Sequence, residues 1–167
     1  GTGRWIGISA ASTRLNPELL EKGLLRFAYW NYAVQLDDAI FSTHRYFAGT
    51  DKIRAEALMR LIRDPNTGSI WFARGGYGAT RILSLLDQIG APQNMAKDPK
   101  LLLGFSDVTA LHLYFYHHLK LPSVHCQMPA SEKWLKMSPT SEKILQAILH
   151  GKMPTGNKSH TATWKLK

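Results

Sequence analysis

Apolar positions along the chain alternate between short continuous runs and stretches at helical spacing, a pattern that predicts strands and helices in turn. Residues 5–10, Trp-Ile-Gly-Ile-Ser-Ala, read as a first strand, and residues 11–15 as the loop leaving its carboxyl end. Asn16-Pro17-Glu18 opens a helix: Asn caps, Pro takes the first helical position, and the acid complements the dipole. Leu20, Leu24, Phe27 and Ala28 give that helix an apolar face, with Gly23 a local weakness. Residues 33–36 form a second strand. The stretch 37–49, which holds Phe41, His44, Arg45, Tyr46 and Phe47, fits neither period and reads as a loop.

Thr50-Asp51 caps a helix carrying Ile53, Ala57, Leu58, Leu61 and Ile62, and Asp64-Pro65 stops it. Residues 69–73 form a third strand, followed at once by Arg74-Gly75-Gly76-Tyr77-Gly78. Helical spacing runs over 79–86, and 90–99 reads as a polar loop. Leu101-Leu102-Leu103-Gly104-Phe105 is an apolar run that ends at Ser106 and passes directly into a helix over 107–119. Residues 123–125 make a fifth short strand, and a last helix over 141–149 is closed by Gly151. The alternation predicts an α/β domain over 1–152: an open, mostly parallel sheet with helices on both faces. The polar stretch 153–167 reads as the start of an interdomain linker. In such folds ligands sit outside the carboxyl ends of the strands, the edge to which both glycine-bearing turns belong.

A length of 167 residues suits one domain able to bury a real core, and 44% hydrophobic with 20% charged residues is ordinary globular composition. No apolar run is long enough to span a membrane. The single cysteine, Cys126, excludes an internal disulfide framework and reads as a packing residue. A formal charge of +9 raises the question of nucleic acid, but the 21 Lys and Arg are scattered, so no nucleic-acid partner is expected. The basic surface instead favours an anionic substrate or cell-wall polymer by long-range attraction. The chain starts Gly1-Thr2-Gly3 without methionine, so a trimmed N-terminus is expected, and a signal peptide ahead of it stays open.

Ser106 is the candidate nucleophile. A serine at a sharp strand-to-helix turn lifts its hydroxyl off the sheet beside the first helical N–H groups, as acyl transfer requires. The competing reading is an N-cap for the next helix. Glycines in the other turn allow close approach of backbone to a ligand and serve a phosphate or an oxyanion equally. The phosphate reading lacks Gly-Lys-Ser/Thr and the full dinucleotide fingerprint, although a nucleotide-binding domain remains an alternative. With Asp107, the turn can supply paired oxyanion donors. The available bases are His44, His112, His117, His118, His125, His150 and His160; His112, His117 and His118 read as surface or packing residues, and His125 is the best local candidate. No spacing suggests a metal site.

Residues 73–81 (Ala-Arg-Gly-Gly-Tyr-Gly-Ala-Thr-Arg), 85–87 (Leu-Leu-Asp) and 104–111 (Gly-Phe-Ser-Asp-Val-Thr-Ala-Leu) resemble signature stretches of the serine LD-carboxypeptidases. Residues 47–51 with Arg54-Ala55, and 121–125, extend the resemblance, which covers about 6–149. It implies a flavodoxin-like, class I glutamine amidotransferase-like N-terminal domain. It also implies a cytoplasmic peptidase of cell-wall recycling that releases D-alanine from the L,D bond of murein tetrapeptides; related members cleave microcin-type peptide-nucleotide antibiotics. On this basis Ser106 is the nucleophile, Asp107 and Gly76 (chosen over Gly75) supply the oxyanion N–H groups, and Arg74 and Tyr77 contact substrate. No metal or organic cofactor is expected, and a homodimer is compatible with the family. Family members run to about twice this length, with Glu and His triad partners in a C-terminal domain that this chain lacks. The resemblance thus gives no catalytic role to any histidine here and predicts inactivity for the chain alone. A non-catalytic muropeptide-binding module is the alternative from another class.

Overall fold

Five strands form one all-parallel sheet in the computed structural model, which describes residues 4–152. They are β1 (Trp5–Ser9), β2 (Val34–Leu36), β3 (Thr67–Phe72), β4 (Leu101–Gly104) and β5 (Ser123–His125), in the order β2-β1-β3-β4-β5. That order is the flavodoxin-like doubly wound arrangement. Seven helices connect and flank the strands: α1 (Pro17–Tyr29), α2 (Asp51–Arg63), α3 (Leu83–Gln88), α4 (Ala91–Lys97), α5 (Thr109–Leu119), α6 (Glu132–Leu135) and α7 (Pro139–Leu149).

Side-chain alternation along the central strands feeds a separate core on each face. Ile70, Phe72 and Leu102 pack with Leu58, Ile62, Leu86, Met95, Leu111 and Phe115 from α2 to α5. Trp71, Ala73 and Leu103 point the other way, toward Leu20 and Phe27 of α1, Trp30 just after it, and Trp134 and Leu145 of α6 and α7. Phe27, Trp30, Trp71 and Trp134 meet there with ring centroids 5.0–6.3 Å apart. Their indoles stay satisfied: Trp134 donates to the Gly23 carbonyl at 2.9 Å, Trp71 to that of Gln127 at 2.9 Å, and Trp30 to Glu142 Oε1 at 2.6 Å.

Several expectations change in the structure. Gly23 is no mere weakness, because a Cβ there would lie 1.9 Å from the Pro129 carbonyl oxygen; α1 packs against that segment only through a glycine. The expected loop at 90–99 contains α4, started by Gly90 in left-handed backbone (φ 75°) with no side-chain cap to signal it. The helix expected over 79–86 is a 3₁₀ turn, Ala79–Ile82, followed by α3. Helix α7 begins early, at Pro139, because Ser138 caps it by accepting from the Ser141 N–H at 3.2 Å. Helix α6 was not foreseen. The linker expected at 153–167 lies outside the described residues. Among those described, no helix is long and apolar enough to cross a membrane.

Candidate active site

At the carboxyl end of β4 the backbone turns sharply. Gly104 (φ 150°) and extended Phe105 lead to Ser106, whose φ of 66° is left-handed. A non-glycine residue held there costs about 1–3 kcal/mol, and such strain concentrates at functional sites. Ser106 starts a 3₁₀ turn, Ser106–Val108, that runs into α5. Neither helix start receives a side-chain cap bond, so Ser106 is not acting as an N-cap.

The second turn, after β3, packs directly against this one. A Cβ on Gly75 would stand 3.0 Å from Ser106 Cβ and 3.1 Å from its Oγ, so only a glycine lets the backbone lie on the hydroxyl. Gly76 has a φ of 105°, and a Cβ there would be 2.1 Å from Thr13 Oγ1. Thr13 Oγ1 accepts the Tyr77 N–H at 2.9 Å, and the Thr13 N–H donates to the Gly75 carbonyl at 3.3 Å. The N–H groups of Gly75 and Gly76 make no hydrogen bond among the described residues. Asp107 ties the turns together, since its Oδ2 accepts from the Ala79 N–H at 2.8 Å. Beneath both lies Met128, whose Cε would be 3.4 Å from a Gly75 Cβ and whose Sδ would be 3.4 Å from a Gly104 Cβ.

Arg54 of α2 braces this edge from behind. Fully buried, it donates to the carbonyls of Ala11 (2.7 Å), Gly78 (2.8 Å) and Gly49 (3.3 Å), and pairs with Asp51. Its guanidinium lies 4.9 Å from the Phe47 ring centroid, and Phe47 stacks on Tyr77 at 6.0 Å. The hydrogen bond from Arg81 and the Arg54 charge hold the Asp51 carboxyl below its ordinary range.

Arg74 and Tyr77 both stand exposed at the rim, with Arg74 Nη1 donating to the Arg14 carbonyl at 2.9 Å. Among the described residues, Ser106 Oγ has no hydrogen bond to any histidine. His112 is buried inside α5, and burial together with His125 pushes its pKa down to about 4, so it is neutral at pH 7. His125 is exposed at the end of β5, its ring 5.2 Å from that of His112. His117 and His118 are exposed on α5, as are His44 and His150 elsewhere; His160 lies outside the described residues. Burial lifts the Cys126 thiol to about 12, which suits a packing residue. Among the described residues no group of three His, Cys, Asp or Glu is placed to hold a metal ion.

Sequence reasoning missed Thr13 and Met128 and named Arg54 only within the resemblance, with no role at the site. Only Arg54 left a signal: it precedes Leu58 by four and Leu61 by seven, an arginine on the buried face of its helix.

The carboxyl edge of this parallel α/β sheet thus carries a left-handed serine backed by a glycine turn. The chain belongs to the LD-carboxypeptidase family, residues 6–126 matching that family's N-terminal domain. A murein tetrapeptide carboxypeptidase of Pseudomonas aeruginosa is 32% identical over 120 residues, covering 72% of this chain and 38% of its own. A Streptomyces coelicolor relative, carrying a provisional carboxypeptidase name, is 33% identical over 145 residues, covering 85% of this chain and 46% of its own. Among solved structures, the muramoyltetrapeptide carboxypeptidase of Oxalobacter formigenes superposes with a TM-score of 0.73 at 25% identity, over 86% of this chain and 47% of that one. The microcin C7 self immunity protein bound to aspartyl sulfamoyl adenosine shares the fold, with a TM-score of 0.80 at 20% identity over 93% of this chain and 46% of that one. The chain spans less than half the length of these relatives.

Proposed function

We propose that this chain is the nucleophile-bearing half of a serine LD-carboxypeptidase that releases terminal D-alanine from the L,D bond of a murein tetrapeptide in the cytoplasm. Ser106 held in left-handed backbone against Gly75, with no capping bond to its credit, is the observation that carries the reading. In this mechanism Ser106 Oγ attacks the scissile carbonyl, and the N–H groups of Asp107 and Gly76 hold the oxyanion. As the tetrahedral intermediate collapses, the C–N bond breaks and D-alanine leaves with a proton on its amine. Water then hydrolyses the acyl-serine. The general base and its orienting carboxylate come from a C-terminal domain, as the family resemblance implies, because no histidine of the described residues is bonded to Ser106. Arg74 and Tyr77 contact the peptide from the rim.

D-Alanine release from a murein tetrapeptide, followed for the complete gene product and for the 167-residue chain, tests this. Turnover is expected from the longer form alone, falling by ~10³-fold or more with Ser106→Ala. Turnover by the short chain refutes the split site. Full activity in the alanine variant refutes the nucleophile.

A further inference from the structure

Gly76 is the pivot of the glycine turn, and one residue of the loop after β1 grips the backbone on both sides of it. The peptide group ahead of Gly76 is held by its oxygen, since the Gly75 carbonyl accepts the Thr13 N–H at 3.3 Å. The peptide group behind it is held by its N–H, which Tyr77 donates to Thr13 Oγ1 at 2.9 Å. The φ of 105° between those planes is thereby pinned, and the threonine lies directly on the glycine: a Cβ at Gly76 would be 2.1 Å from Thr13 Oγ1 and 2.6 Å from Thr13 Cβ. Thr13 is itself anchored. The Arg14 N–H donates to the Tyr46 carbonyl at 2.9 Å, the Ala48 N–H donates to the Ser12 carbonyl at 3.0 Å, and Ser12 is fully buried. None of these anchors uses the Thr13 side chain, so the loop keeps its place when Oγ1 is removed.

Covalent geometry then sets a direction. A trans peptide points its N–H opposite to its C=O. The Gly75 carbonyl faces Thr13, on the β1 side of the turn, so the Gly76 N–H faces the other way. In the order β2-β1-β3-β4-β5 the neighbour on that other side of β3 is β4, whose turn carries Ser106. There the two turns meet, a Gly75 Cβ lying 3.0 Å from that of Ser106. We propose that Thr13 is a positioning residue for acyl transfer: its N–H and Oγ1 clamp the peptide planes that flank Gly76 and aim the Gly76 N–H at the oxyanion, a role that rests on the serine-peptidase reading given above. Oxyanion donors work by being fixed before the charge develops, and a donor free to swing loses much of that advantage. Thr13 touches no reacting atom; it acts through the backbone that it holds. Its effect belongs to the transition state, which makes kcat and not KM the quantity it controls.

Thr13→Val and Thr13→Ser in the complete gene product test the clamp. Valine keeps the branched shape and the backbone bond and deletes Oγ1; serine keeps Oγ1 and deletes only the methyl. D-Alanine release from a murein tetrapeptide is followed beside labelling of Ser106 by a fluorophosphonate. In the labelling step Ser106 Oγ bonds to phosphorus, fluoride leaves, the hydroxyl proton is released, and the phosphoryl oxygen takes the oxyanion's place. Thr13→Val is expected to lower kcat and the labelling rate each by about 10- to 100-fold per folded molecule, with KM within about twofold. Thr13→Ser is expected to stay within about threefold of the parent in both rates. A lowered urea midpoint with both rates per folded molecule unchanged overturns the proposal, as do equal losses in the two variants or a loss confined to KM. Labelling that depends on Oγ1 without Ser106-dependent D-alanine release keeps the clamp and removes the LD-carboxypeptidase reading. Ser106-dependent release that is indifferent to Thr13→Val does the reverse.

Discussion

Ser106 occupies backbone that an isolated serine avoids, and its neighbours hold it there. Gly75 is one of these, and at this position its missing side chain matters more than its freedom of φ. Gly75→Ala places a methyl carbon 3.0 Å from Ser106 Cβ and 3.1 Å from Oγ, so the hydroxyl must move. We expect a loss of about 10- to 100-fold in kcat for D-alanine release by the complete protein, in line with a misplacement of well under 1 Å near the reacting atom. KM should change little, and crowding should cost about 1–3 kcal/mol of stability by urea titration. Ser106 and the glycines were readable because a strand-turn-helix break leaves a composition mark. Thr13 and Met128 were not, because both reach the site only through the sheet order, which brings the β1 loop and the segment after β5 against the β3 turn.

Helix α2 combines two tasks, packing Leu58, Leu61 and Ile62 into the core while Arg54 gathers three loop carbonyls at the carboxyl edge. Arg54→Met preserves the apolar stem and removes every donor. It strands the Ala11, Gly49 and Gly78 carbonyls and releases Asp51 from one of its two arginines, a loss of about 3 kcal/mol or more. The urea midpoint should fall with an unchanged slope, and catalysis of the complete protein should fall further than its residual folded fraction explains. Elements with a side-chain cap and a clean apolar face were legible, as with Asn16 before α1 and Thr50 before α2. Helix α4 was hidden because Gly90, Pro92, Gln93 and Asn94 have loop composition, while its buried contacts, Ala91 and Met95, form with α2 and α5.

Across the whole molecule, the alternation of strand and helix revealed a parallel sheet covered on both faces, but not which strand is central; β1, β3 and β4 differ little in apolar content from what an edge permits. The two-faced core also sets a pH response. His112, 3% exposed between α5 and the sheet, has its pKa lowered to about 4 by burial and the neighbouring His125, from an ordinary histidine value of 6.5. Between those values the unfolded chain binds the extra proton, so stability rises with pH through this window, is fully present above it, and is lost as pH falls toward 4. The change is on the order of 3 kcal/mol. His112→Phe, followed by urea unfolding across that range, should flatten the slope; an unchanged slope would mean the proton is taken up elsewhere.

Met128 gives the molecule a redox liability that its packing conceals. The thioether lies under both turns of the carboxyl edge, 4% exposed, with the Gly104 and Gly75 backbones as its ceiling. Conversion to the sulfoxide would add a polar oxygen beneath tightly packed glycine backbone and would push on the segment that carries Ser106. The closed sheet edge therefore also acts as a shield: peroxide is expected to oxidise Met128 faster in urea-opened molecules than in closed ones, as intact-mass time courses would show.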